Sequence, residues 1–310
     1  MSDLLLLGLT EHFEAIALGA PQVLRMAKRT GFMLPLDRAF RLFHPPAFGE
    51  TPMMSAAEIL GLAAAAAVAG AINAIAGGGT LLTFPVLIFF GTGAVTANAT
   101  STLALVIGTA GSIFGFRKQV GAVRPWLVRF VPVSVLGGLL GSVLLTRTGE
   151  SLFARLVPFL ILFATILFLA QGAFRRFAGF AEKGRAQPHH HAVWVAVVFQ
   201  FAVSVYGGYF GAGIGILMLA SLGFLGLRDI HEMNALKNIL SCLINVVAAL
   251  WFIGAGLIDW PRAGVMSVGA LGGYFLGAHF SQRLPQRAVR GLVTVIGLTI
   301  SAIMFWRQFR

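Results

Sequence analysis

Lys237 stands inside an apolar block at about 233–253, with Asn234, Asn238, Ser241 and Asn245 around it. Those four polar residues recur at i, i+4, i+7 and i+11, which is one face of a helix, and Lys237 falls at i+3 beside them. A cation within a bilayer-spanning helix costs about 2.5–3.5 kcal/mol on insertion scales. Two outcomes fit such a residue. Its long stem can snorkel to the interface, or it can face a wet cavity and offer its charge to an anion. The nearest acids, Asp229 and Glu232, lie on the shallow side. An earlier block carries Asn98, Thr102 and Thr109 at i, i+4 and i+11, and an offset of 136 carries 98, 102 and 109 onto 234, 238 and 245. Interhelical hydrogen bonding explains any one of these residues. Two matched stripes, one of them beside a lysine, point to a shared polar site.

A second feature with chemical potential precedes each stripe. Gly77, Gly78 and Gly79 are followed by Thr80 and, five residues on, by Pro85; Gly207, Gly208, Gly211, Ala212 and Gly213 form the later cluster. Each cluster opens a shortened apolar block, 80–92 and 212–226. A broken helix at membrane depth frees backbone N–H and C=O groups, tolerable only where they are buried in protein or line a cavity. A half-helix N-terminus adds unpaired N–H groups and the positive end of a dipole, which together make an anion site. Close packing through small residues is the competing explanation. Asn73, Tyr206 and Tyr209 are secondary candidates near the same breaks.

The remaining candidates are weaker. His189, His190 and His191 sit in a basic stretch without zinc-ligand spacing and read as a solvated loop. His279 falls near a block end and reads as interfacial, and Cys242 lies within an apolar run. No nucleophile–base constellation stands out, so no catalysis, metal or cofactor is expected. The eleven acids, at 3, 11, 14, 37, 50, 58, 150, 182, 229, 232 and 259, all fall in the N-terminal arm, loops or block edges. A deep carboxylate relay of the kind common in proton-driven carriers is therefore not expected.

The elements that must position these residues follow from composition. The chain of 310 residues is 57% hydrophobic and only 11% charged. A soluble domain carries about 25% charged residues. With its apolar residues in long blocks, the expected class is an all-α polytopic membrane protein. The net charge of +12 lies mostly in short loops, which argues for membrane topology and against a nucleic-acid partner. The start, "MSDLLLLGLT", lacks a basic n-region and does not read as a signal peptide; an interfacial helix near 3–19 is expected. Ten apolar blocks are visible, eight of them long enough to cross about 30 Å of hydrocarbon. Treating the two short blocks as re-entrant or broken helices places sixteen Lys and Arg inside and six outside, whereas ten full crossings give only twelve against ten. The expectation is about eight transmembrane helices plus two re-entrant or broken ones, with both termini cytoplasmic.

The chain also repeats itself. "LGG" at 136–138 answers "LGG" at 271–273, "ANAT" at 97–100 answers "MNAL" at 233–236, and a glycine cluster precedes each. Two internal repeats are expected: an extramembrane arm at 1–55, a first repeat at 56–174, a basic cytoplasmic linker at 175–191 and a second repeat at 192–310. Four full spans per repeat would make them parallel, and five would make them inverted.

The stretches "AGGGTLLTFPVLIFFGTGAVTANATSTLALVIGTAGSIFGF" (76–116) and "MNALKNILSCLINVVAALWFIGAGLIDW" (233–260) resemble the sulfite exporter TauE/SafE family of permeases, over about 56–306. The resemblance implies two four-span halves and movement of sulfite or small organosulfur anions across the bacterial inner membrane. The expected partners are thus a small anionic substrate and the lipid bilayer, and the reading allows a homo-oligomer. Another small anion, such as a carboxylate or thiosulfate, and a non-transporting membrane scaffold are the rival readings. The expected substrate-binding set is Lys237, Asn98, Asn234, Asn238, Thr102, Asn245, Gly77, Gly78, Gly79, Thr80, Gly211 and Gly213.

Overall fold

The computed structural model describes residues 54–75, 78–115, 120–180, 190–224, 230–280 and 286–308. The expected interfacial helix in the arm, Gly77 and His189 lie outside the described residues. The described residues form ten helices and no strand. In chain order these are α1 (Ala56–Ile75), α2 (Thr80–Phe89), α3 (Ala94–Gly115), α4 (Val120–Thr148), α5 (Glu150–Phe180), α6 (His190–Tyr209), α7 (Ile214–Phe224), α8 (Ile230–Gly254), α9 (Trp260–Phe280) and α10 (Gln286–Gln308). The protein is a helical polytopic membrane protein. Four stretches, Ala56–Ala74, Val123–Thr148, Glu150–Ala170 and Glu232–Gly254, are long and apolar enough to cross a bilayer by length and composition. Arg175 and Arg176 fall within α5 rather than after it.

The glycine breaks turn the chain back on itself. A methyl group built on Gly79 would stand 2.7 Å from the Ala69 carbonyl oxygen, and one on Gly61 would stand 2.9 Å from the Phe90 ring. So α2 runs antiparallel to α1, and its end comes home to the start of α1. Arg262 holds that junction: its guanidinium meets Glu58 at 2.8 Å, Asp259 at 2.7 Å and the Phe90 carbonyl at 3.3 Å. A short block entering from the far side of α1 would have left Phe90 there, whereas Phe90 lies with Glu58.

Small residues set the closest contacts. Gly269, Gly273 and Gly277 of α9 lie against Ala63, Ala67 and Ala71 of α1, each spaced by four, so the two helices run parallel with backbones touching. A side chain on Gly273 would overlap the Ala67 carbonyl. Gly137 and Gly141 of α4 approach the Phe201 and Val205 carbonyls of α6 in the same manner. The packing continues in pairs: α9 also lies on α3, and α4 on α8. One apolar core joins α4, α6, α7 and α8 through Phe130, Val203, Met218, Leu236 and Ile244. A second unites α1, α2, α3 and α9 with the buried face of α5. Renumbering α1–α5 as α6–α10, and the reverse, preserves the main pairings, with α3 on α8 and α5 on α10 mapping onto themselves. The fourth helix of each set therefore packs into the other set's bundle.

Candidate functional site

At the first break, Gly78 has φ of 96°, a left-handed conformation that favours glycine. A side chain there would also overlap the ring of Phe168 on α5. Asn73 closes the gap: its Oδ1 accepts the Gly79 N–H at 3.1 Å. Thr83 donates to the Gly79 carbonyl at 3.2 Å and lies 2.6 Å from the Ser101 hydroxyl on α3. Thr80, the first residue of α2, is half-buried.

The second break is built in the opposite sense. Gly211 and Gly213 have φ of 81° and 80°. Tyr206 donates its hydroxyl to the Ala212 carbonyl at 2.7 Å. Asn98, reaching across from α3, donates its Nδ2 to the Tyr209 carbonyl at 3.1 Å. Both side-chain staples span six residues, from 73 to 79 and from 206 to 212. The first takes up an amide and the second a carbonyl. With two of its carbonyls engaged by donors, the second break presents the amide end of α7, the positive end of that helix's dipole.

Both breaks meet α5 at its midpoint. Phe168 covers Gly78, while Leu167 and Ala164 lie 3.6 Å and 3.8 Å from a methyl group built on Gly213. Positions 164, 167 and 168 share one helix face. The structure thus brings Gly78 and Gly213 to the same face of a single turn and a half of α5.

Lys237 belongs to the second break. A methyl group on Gly215 would stand 3.3 Å from its Cδ, and one on Gly211 would stand 3.6 Å from the Asn245 Oδ1. Ser241 lies 3.3 Å from the Met218 sulfur. The pairs 245 with 211 and 241 with 218 set an antiparallel register in which Lys237 starts opposite the second half of α7. Its stem nevertheless lies on Gly215, in the first turn, so the chain reaches toward the break rather than toward its own near end. Asn234 and Asn238 are half-buried on the same helix.

The first-half stripe differs. Thr102 and Thr109 each donate at 2.8 Å to the carbonyl four residues back, at Asn98 and Leu105, and so serve their own helix. Asn98 is spent on the Tyr209 carbonyl. Sequence symmetry therefore overstates the chemical likeness of the two stripes. His279 is exposed at the end of α9. No group of three or more His, Cys, Asp and Glu able to hold a metal occurs among the described residues. The edge acids are engaged in structure: Glu58 and Asp259 with Arg262, and Glu150 accepting the Ala94 and Val95 amides at the α3 N-terminus.

Gly215, the α5 face and the Thr83–Ser101 pair were not singled out from sequence. The α5 face reads as ordinary apolar core, and nothing in its spacing shows what covers it. The equal six-residue staples were legible in principle, as polar residues a fixed distance before each glycine turn.

The model of the sulfite exporter TauE/SafE family matches residues 62–304. A probable membrane transporter protein of Haemophilus influenzae is 30% identical over 244 residues, covering 78% of this chain and 92% of that protein. The probable membrane transporter protein YfcA of Escherichia coli K12 is 26% identical over 246 residues, covering 78% of this chain and 87% of its own. The probable membrane transporter protein ORF9 of Sinorhizobium sp is 22% identical over 239 residues, covering 76% of this chain and 88% of its own. No solved structure matches.

Proposed function

The chain belongs to the sulfite exporter TauE/SafE family of membrane transporters, and we propose that it exports a small anion, sulfite or a small organosulfonate, by alternating access between two inverted repeats. The observation that carries this reading is the reach of Lys237 onto the first turn of α7. An anion entering a dry site loses hydration, and a cation together with the amide end of a helix replaces part of it. The binding set is then Lys237, Asn238, Asn245 and the α7 end around Gly211 and Gly213. Gly78, Gly79, Asn73 and Thr83 shape the opposite break, where the amide of Gly79 is already taken.

Inverted repeats fit the direction in which the chain runs. Each glycine hairpin returns the chain to the end it came from, so α1 and α6 start from opposite ends of the bundle. The ends of α1 and α10 that lead to the termini then share one side with the 90–93 and 147–155 connections. The loops and helix ends at 117–129, 175–185, 228 and 283–290 share the other, with twelve Lys and Arg against five outside the N-terminal arm. The positive-inside bias, which weighs short loops, puts that second side in the cytoplasm of the bacterial inner membrane. The ends of α1 and α10 that lead to the termini then face outward, the reverse of the orientation expected from eight spans. An interior-negative potential favours exit of an anion by about 2.3 kcal/mol per charge per 100 mV, so export needs no carboxylate relay.

Purified protein in liposomes tests the reading, with sulfite, sulfoacetate, thiosulfate and acetate compared under an imposed potential. Sulfite or sulfoacetate flux that carries charge and follows the potential is expected. Flux of acetate alone would transfer the assignment to a carboxylate carrier, and flux of none would remove the assignment.

A further inference from the structure

Asn98 is only 1% exposed and ties α3 to the end of α6 through Nδ2. That bond fixes the orientation of the amide, because the flipped form would set Oδ1 against the Tyr209 carbonyl. Oδ1 is then buried with no hydrogen-bond partner. A buried acceptor left without a donor disfavours the state that contains it. Such an unpaired group in a native fold calls for a reason, a strain reservoir among them. Asn234, at the equivalent place on α8, is half-buried instead. The two helices pack on each other, and the packing of α1, α3 and α9 mirrors that of α6, α8 and α4.

We propose that Asn98 and Asn234 form an exchangeable latch that balances the two access states; this rests on the alternating-access reading above. In the state described, Asn98 grips the carbonyl that ends α6 and Asn234 is released. In the opposite state Asn234 grips the carbonyl that ends α1, and Asn98 moves to a half-buried place where its amide is hydrated. Inverted repeats that swap conformations produce this exchange without new contacts. Both asparagines are positioning residues and touch no substrate in this scheme.

Spin-label distances test it without any substrate. With Cys242 replaced by Ser, labels at Phe89 and Leu250 measure the separation of the two bundles at one end, and labels at Arg124 and His279 measure it at the other. Two distances at each end are expected in the wild type. Asn98→Ala and Asn234→Ala should shift the population of the described state about tenfold in opposite directions, and the double variant should return towards wild type. Shifts in the same direction, or none with thermal unfolding unchanged, overturn the latch. If Asn98→Ala does not fold, Asn234→Ala decides alone, since a half-buried asparagine with no part in a second state gives no reason for either population to change. A single distance at each end in every variant would sink alternating access itself, while two distances indifferent to both asparagines sink only the latch.

Discussion

At the scale of single residues, the decisive fact is where Lys237 points. A snorkelling lysine lays its stem toward its nearer membrane face. This one lies on Gly215, beside the second break. Hydrogen bonds to charged groups contribute about 1.5–3 kcal/mol. Lys237→Met keeps the stem and removes the charge, so it should raise the apparent substrate constant roughly 10- to 150-fold with expression intact. Unchanged concentration dependence of flux for all four anions would return Lys237 to a packing role. Tyr206 supports a different expectation. Tyr206→Phe loses the bond to the Ala212 carbonyl and should cost about 1–3 kcal/mol of stability. A thermal midpoint equal to wild type would mean that water replaces the hydroxyl.

At the scale of elements, glycines with different neighbours separate packing from binding. Substituting Gly78, the obvious probe of the first break, forces a side chain onto the Phe168 ring at a φ of 96°. A Gly78→Val protein is therefore expected to misfold, so its failure to transport would say nothing about binding. Gly215→Ala is the better probe, because the three atoms nearest its methyl group all belong to the flexible Lys237 stem, the first at 3.3 Å. Folded yield should hold while substrate affinity falls; flux kinetics identical to wild type would detach Lys237 from the α7 turn. The α1–α9 seam makes a sharper contrast. Gly273→Leu must push α9 off the Ala67 carbonyl and should abolish folded protein, whereas the adjacent Gly272 has nothing within 4 Å and should accept Ala. Detergent-solubilised yield by size-exclusion chromatography reads both, and equal yields would refute the seam.

At the scale of the whole molecule, the direction of each hairpin decides sidedness. Because Phe90 lies with Glu58 and Arg262, cysteines near 120, 185 and 286 should all be labelled from the cytoplasm by an impermeant reagent. Cysteines at 91 and 149 should be labelled only from outside. Labelling of 120 and 286 from opposite faces would restore eight crossings and parallel repeats. The exchange of α4 and α9 between bundles adds a mechanical consequence. In the alternating-access reading, the bodies that would move are not the two sequence halves, since each half packs its fourth helix into the other's bundle.

Several things follow from the sequence alone because they depend on local composition and period. Long apolar blocks with 11% charge dictate membrane helices. Three adjacent glycines at 77–79 disfavour a continuous helix there. The offset of 136 between Asn98 and Asn234 exposes the internal likeness, and the glycine motifs carry the family resemblance. What the sequence leaves open is whatever depends on which surfaces meet. A short block after a glycine turn has the same composition whether it returns beside α1 or beside another helix, and the contacts of Gly79 with Ala69 and of Phe90 with Gly61 and Arg262 select one. Two polar stripes of like spacing become unlike because Thr102 and Thr109 bond their own helix, Asn98 is drawn to the Tyr209 carbonyl, and Lys237 reaches a neighbouring helix end. Periodicity places a side chain on a face; it carries no information about what packs opposite, and hydrogen-bond partners and close backbone approach are settled there.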